Sequence, residues 1–238
     1  MKSCILLAAM AVLATGCGTV PTQTINQTSA PMRDQTVALT VRDKPEFTTF
    51  TLAQALPSAA AGAVPGLGVL GAGLLGGIAG GVQAMAGGDA RSNHTARLPD
   101  PAHAIAAELN AALAKRDNIK KAHGSVRAPK GSRPADIAAV ARGNADYVLD
   151  IQTVMWGMYY QPTAWTSYDL KFQAIGSLIN VKTGAVVASA TCKDLPDVNP
   201  RGPSYNQMMA NDSALIKQMV AHEVAGCVAT LKRDMLAL

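Results

Sequence analysis

The chain has 238 residues, a formal net charge of +5, 49% hydrophobic residues and 16% charged residues. That length holds one sizeable domain plus a tail and is short for two full domains. Lys and Arg are spread along the chain without a dense run, so the sequence offers no basic patch for nucleic acid; a mildly basic domain beside anionic lipid headgroups is the plainer reading.

Met1 and Lys2 form a short positive start, and Ile5 to Leu13 form an apolar stretch too short to span a bilayer. Leu13-Ala14-Thr15-Gly16-Cys17 follows, small residues leading to a cysteine. This leader resembles a bacterial lipoprotein signal peptide, with Ala14 where that class usually has Leu. The resemblance implies cleavage before Cys17 and acylation of its thiol, giving a stable lipid anchor if several chains are attached. Gly18 stands where an Asp would retain the protein in the inner membrane, so the implied destination is the outer membrane, with the domain facing the periplasm. The expected partition is a signal peptide over 1–16, a lipidated flexible tether over 17–35, and a periplasmic domain over 36–238. The tether is rich in Thr, Gln, Asn, Ser and Pro and lacks a repeating apolar face.

Thr36 to Val41 alternates as a strand, and Phe47 to Leu52 is a weaker, Thr-rich one. From Phe47 to Gly88 there is no charged residue, and Gly62 to Gly88 holds eleven of the 21 glycines. Drawn as a helix, Leu67, Leu70, Leu74, Ile78, Val82 and Met85 make one stripe. Gly66, Gly73, Gly77, Gly80 and Gly81 supply the small-xxx-small spacing that lets helices approach closely in a membrane. In water each glycine costs a helix about 1 kcal/mol relative to Ala, so residues 59–88 read either as a membrane-contacting helical or hairpin insert that self-associates, or as a Gly/Ala loop.

Asp100-Pro101 caps a helix whose apolar stripe is Ile105, Leu109 and Leu113 and whose last turn carries Lys115 and Arg116. Residues 117–133 read as a loop with a short strand, and Pro134 to Arg142 as a second helix closed by Gly143. Tyr147 to Trp156 is the best strand, with Tyr147, Leu149, Ile151 and Met155 on its apolar side. Leu170 to Val181 and Val186 to Cys192 follow as strands around Lys182-Thr183-Gly184. Asp212 to Leu236 is a long amphipathic helix through Ile216, Val220, Val224, Cys227 and Leu231. The fold class is therefore α/β (α+β), a single mixed sheet flanked by helices. Cys4 belongs to the leader, which leaves Cys192 and Cys227; they either pair as a disulfide stapling that helix to the sheet or remain two buried thiols.

Gly143-Asn144-Ala145-Asp146-Tyr147-Val148-Leu149 and Asn180-Val181-Lys182-Thr183-Gly184-Ala185-Val186-Val187 resemble the strand lead-in and hairpin of TolB amino-terminal and curli-secretion lipoprotein domains. The resemblance covers roughly residues 100–236 and implies helices on a mixed sheet. The sequence shows no pair of alternating hairpins of barrel length, so the curli-secretion likeness stops at the pore. The Gly-rich insert is reminiscent, in layout alone, of surface-exclusion lipoproteins of conjugative plasmids.

No catalytic constellation is complete. Gly66-Leu67-Gly68-Val69-Leu70-Gly71 matches a dinucleotide fingerprint in letters, but no strand precedes it and Pro65 abuts it. His94, His103, His123 and His222 have no i,i+4 partner, and no Gly-x-Ser-x-Gly elbow occurs. Asp146 reads as a turn residue and Asp150 as a solvent-facing one, not as an acid/base pair. No metal or cofactor is expected. Trp156, Tyr159, Tyr160, Trp165 and Tyr168 place five of ten aromatics within thirteen residues, as core filler, a partner surface, a headgroup-level belt or a glycan-stacking site. The sequence thus reads as a non-catalytic envelope component. Its expected partners are lipid through Cys17 and an envelope protein or a second copy of itself. A pore accessory or a regulator of a peptidoglycan enzyme are the other readings.

Overall fold

One long antiparallel hairpin, Tyr147–Gln161 with Ala164–Asn180, organises the sheet; its strands extend beyond the Tyr147–Trp156 and Leu170–Val181 segments read from the sequence, so Gln161 pairs with Ala164 across the stretch around Pro162 that reads as a loop. The computed structural model describes residues 21–26, 31–50, 98–161, 164–193 and 202–238. Cys17 and the glycines Gly66, Gly73, Gly77, Gly80 and Gly81 lie outside the described residues. In chain order the elements are β1 (Thr36–Arg42), β2 (Thr48–Phe50), α1 (Pro101–Asp117), β3 (Lys120–Lys121), β4 (Val126–Ala128), α2 (Pro134–Ala141), β5 (Tyr147–Gln161), β6 (Ala164–Asn180), β7 (Val186–Lys193) and α3 (Tyr205–Leu231). A π-helical turn, Lys232–Leu236, ends the chain.

The sheet is mixed and open, an α+β fold, with strand order β3-β1-β5-β6-β7. β1 runs parallel to β3, β4 and β5; β5, β6 and β7 form an antiparallel meander. β2 pairs in parallel with the far half of β5, Thr48 to Phe50 opposite Gly157 to Tyr159. The close approach needs a glycine: a Cβ on Gly157 would run into the Thr48 carbonyl.

The two faces of the sheet bury separate cores. On one, α1, α3 and the π turn cover Val37, Leu149, Ile151, Leu178 and Ala188. On the other, α2 covers Ala38, Val148, Ile179 and Val181. The α1 stripe forms as its sequence dictates: Ile105, Leu109 and Leu113 are fully buried, and the Asp100 carboxylate accepts the Ala102 N–H at 2.9 Å. Gly143, at φ +85°, turns the chain out of α2.

Three elements depart from the sequence reading. The loop over 117–133 holds two short strands, each extending β1's parallel edge. The last helix starts earlier than its periodicity suggested, at a capping box between Ser204 and Gln207, and breaks at Ala210 to Ser213, where Asn211, Asp212 and Ser213 take φ of 52°, 55° and 59°. In β5 the register shifts between Thr153 and Met155, leaving Val154 as a bulge residue 41% exposed. Up to Thr153 the odd-numbered residues face the α1/α3 core. Beyond the bulge the even ones do, so Trp156 and Met158 are buried there and Met155, expected on that face, is only half-buried.

Candidate functional site

Two features of the chain meet at β7. The first is the amino-terminal segment. Part of the stretch expected as a flexible tether is docked. Gln23 and Ser189 exchange backbone hydrogen bonds at 2.7 and 2.8 Å, so residues around Gln23 add antiparallel to the edge strand β7. The Ser189 hydroxyl donates to the Pro21 carbonyl at 2.8 Å, the Thr24 hydroxyl to the Asp234 carbonyl at 2.7 Å, and the Ile25 N–H to the Met235 carbonyl at 2.9 Å. Ile25 is 6% exposed and Met32 is fully buried. The polar composition that read as a tether instead satisfies an open sheet edge, whose unpaired backbone groups need partners.

The second feature is the Cys192–Cys227 disulfide, which joins β7 to α3 with a Cα–Cα distance of 5.2 Å. Both cysteines are buried, and the bridge staples the helix to the strand that also receives the amino-terminal segment. The same strand thus holds the start of the domain and its last long helix.

The aromatic constellation divides. Trp156 is 1% exposed: its indole N–H donates to the Pro45 carbonyl at 2.8 Å, and Phe47 stacks edge-on with centroids 5.2 Å apart. Tyr168 is buried against Tyr205, centroids 5.8 Å apart, and its N–H donates to the Pro203 carbonyl at 2.8 Å. These two are core residues and leave the candidate partner surface; the bulge at Val154 is what turns Trp156 inward. Tyr159 is half-buried, and desolvation pushes its phenol up to about 12. Tyr160 and Trp165 belong to the strand ends nearest the Gln161–Ala164 pair, and their side chains lie outside the described set.

Asp150 is corrected as well. It is 7% exposed, not solvent-facing. Arg42 grips it with two hydrogen bonds of 2.7 Å, and the Thr40 hydroxyl donates to it at 2.8 Å. A carboxylate so fully engaged by a bidentate guanidinium is a structural joint between β1 and β5. Asp146 accepts the Thr36 N–H at 2.8 Å and ties the same two strands together at their start. Neither Arg42 nor Thr40 was picked out in the sequence, because the pairing spans more than a hundred residues.

His103, His123 and His222 are exposed. Among the described residues no group of three or more His, Cys, Asp or Glu is placed to hold a metal ion. A shallow groove of about 410 Å³ lies between β1 and α1, with Leu39, Val41 and Ala106 as walls and His103 and Lys121 at its rim. Of its two hydroxyl residues, Thr40 is already committed to Asp150 and Ser125 is exposed. Among the described residues no helix is long and apolar enough to cross a membrane.

No protein-family model matches the chain, and no curated protein matches it. Among solved structures the chain is similar to lipoprotein GNA1162 from Neisseria meningitidis, at 14% identity and a TM-score of 0.24, over 79% of this chain and 99% of that one. That neighbour is a bacterial lipoprotein, but a likeness so low carries no fold or function across. The comparisons lend no support to the TolB, curli-secretion or surface-exclusion resemblances.

Proposed function

We propose that this chain is a lipid-anchored protein of the bacterial envelope that works by interaction, without catalysing a reaction. The supporting observation is the Cys192–Cys227 bridge. Disulfides persist in oxidising compartments such as the periplasm. With those two thiols joined and Cys4 in the leader, Cys17 is the remaining cysteine for acylation. The outer membrane is the destination that Gly18 favours, and the periplasm is the side on which the domain stands. Tyr159, Tyr160 and Trp165 remain as contact residues at the hairpin end, and Gly66, Gly73, Gly77, Gly80 and Gly81 as the self-association face.

The test is expression of the full chain in a Gram-negative host fed a clickable palmitate analogue, beside Cys17→Ala. Wild-type protein is expected to take up the label and fractionate with the outer membrane, and the variant to lose both. An unlabelled wild-type protein would overturn the anchor. Light scattering of the detergent-extracted protein, with and without residues 62–88, then reads self-association; a monomer in both forms removes the glycine face from the proposal.

A further inference from the structure

The chain's whole net charge of +5 sits in one short stretch. Residues 120–133 hold five Lys or Arg and no acid, while elsewhere 16 Lys or Arg meet 16 Asp or Glu. The even spread expected from the sequence therefore holds only outside this stretch. The fold lays the stretch along one edge of the sheet, as β3, β4 and the lead into α2. That edge is the one opposite β7, where the amino-terminal segment is docked. Arg127 pairs with Asp43 at 3.4 Å and Arg133 with Asp136 at 3.0 Å, both between largely exposed side chains. Lys120, Lys121 and Lys130 are exposed and have no ion-pair partner among the described residues.

The same edge opens the groove beside α1. Between Val37 opposite Lys121 and Thr40 opposite Val126, β1 has two residues and the outer chain four. The two extra residues bow His123, Gly124 and Ser125 outward, with Gly124 at φ +84° making the turn. The groove of about 410 Å³ beside them has Leu39, Val41 and Ala106 as walls. Val41 is 39% exposed and Leu39 is half-buried. Residues opposed across parallel strands share a face, so Lys121, opposite Val37, and Arg127, opposite Val41, stand on the groove's side of the sheet. Lysines by themselves would serve to keep a sheet edge unpaired. Apolar walls left open beside them work against that end and call for an occupant.

We propose that this groove binds an extended acidic segment of a partner protein. The proposal rests on the interaction reading above and is independent of the lipid anchor. Leu39 and Val41 lie two residues apart on β1, about 7 Å, which is also the distance between alternate side chains of an extended peptide. Two apolar side chains of the partner at that spacing meet Leu39, Val41 and Ala106, and flanking Asp or Glu meet Lys121 and Arg127. Arg127 is available for this, because an exposed ion pair such as that with Asp43 contributes little and exchanges readily. The groove is shallow, which suits a chain passing along it; a small molecule there would stay mostly in water. A bilayer surface would reach Lys121 but is flat, and would leave the apolar walls uncovered. An apolar centre inside a charged rim is the layout of a protein–protein contact, and the charge selects the partner by sign.

The probe is a fluorescein-labelled peptide with two leucines two residues apart among glutamates, titrated by anisotropy against the full chain in detergent micelles. Beside it stand one peptide with serines for the leucines and one with lysines for the glutamates. Wild-type protein is expected to bind the first and neither of the others. Lys121→Glu is expected to weaken that binding about tenfold or more, and Lys193→Glu, the same charge change on exposed β7 residue 193, less than about twofold. Val41→Ser is expected to weaken it as well without changing its dependence on salt. Lys121 and Val41 are exposed, so both variants are expected to melt with the wild type. Adding phosphatidylglycerol to the micelles is expected to leave the binding in place; its loss would assign the edge to a lipid surface and overturn the inference. No binding of the acidic peptide, equal binding of the serine peptide, or equal losses in Lys121→Glu and Lys193→Glu would also overturn it. The palmitate label reports the anchor separately: a labelled protein that ignores the peptide keeps the anchor and loses this groove, and an unlabelled one that binds it does the reverse.

Discussion

Removing the disulfide tests the seam that organises this domain. The bridge closes a loop with a sequence separation of 35 residues, and the chain-entropy estimate for that loop is about 4 kcal/mol. For a domain of this size each kcal/mol moves the melting temperature by about 2–4 °C, so reduction lowers it by roughly 8–16 °C. Cys192 and Cys227 are each only 4% exposed, so replacing them with Ala adds a small packing loss on top. The assay is thermal circular dichroism on oxidised protein, dithiothreitol-treated protein and Cys192→Ala/Cys227→Ala. Non-reducing peptide mapping of the starting material shows the linkage. Hydrogen exchange should locate the loss on α3 and β7, since the bridge joins those two. A melting temperature unchanged to within about 3 °C on reduction would refute the reasoning, because it would mean that the bridge constrains nothing the fold does not already hold.

Asp150→Ala leaves Arg42 buried without its partner and is expected to cost about 3–5 kcal/mol in urea unfolding, while Asp150→Ala with Arg42→Met recovers much of it; an unshifted midpoint in the single variant would show the pair to be dispensable. Met32→Ala is expected to cost about 2–5 kcal/mol, whereas a residue in a flexible tether would cost nothing measurable. Tyr159, with its folded-state value raised to about 12 against an ordinary value near 10, holds its proton longer in the folded than in the unfolded chain. Its contribution to stability is therefore complete below pH ~10 and is lost as pH rises toward 12. Absorbance titration at alkaline pH should show a late-ionising tyrosine that Tyr159→Phe removes, and a variant with the same curve as wild type would assign the late step elsewhere.

Local signals carried most of the helices and strands. Asp100-Pro101 and the Ile105, Leu109, Leu113 stripe are complete within one turn-to-turn pattern, and the structure realises them unchanged. The start of α3 was equally available in Ser204 and Gln207, a capping box that apolar periodicity alone passes over. What stayed out of reach is non-local. Gln23 pairs with Ser189 and Ile25 with Met235, contacts between distant parts of the chain, and nothing within Thr22-Gln23-Thr24-Ile25 distinguishes a docked edge from a solvated linker. The Arg42–Asp150 joint is hidden for the same reason: each residue alone looks like a surface charge.

The bulge at Val154 shows how one residue decides between two roles for an aromatic run. Strict alternation from Tyr147 would place Met155 in the core and Trp156 on the opposite face. One extra residue exchanges them, so Trp156 packs beneath Pro45 and Phe47 and Met158 is buried, while Tyr168 packs on Tyr205. The buried aromatics anchor both strands of the hairpin, one to the segment before β2 and the other to the start of α3.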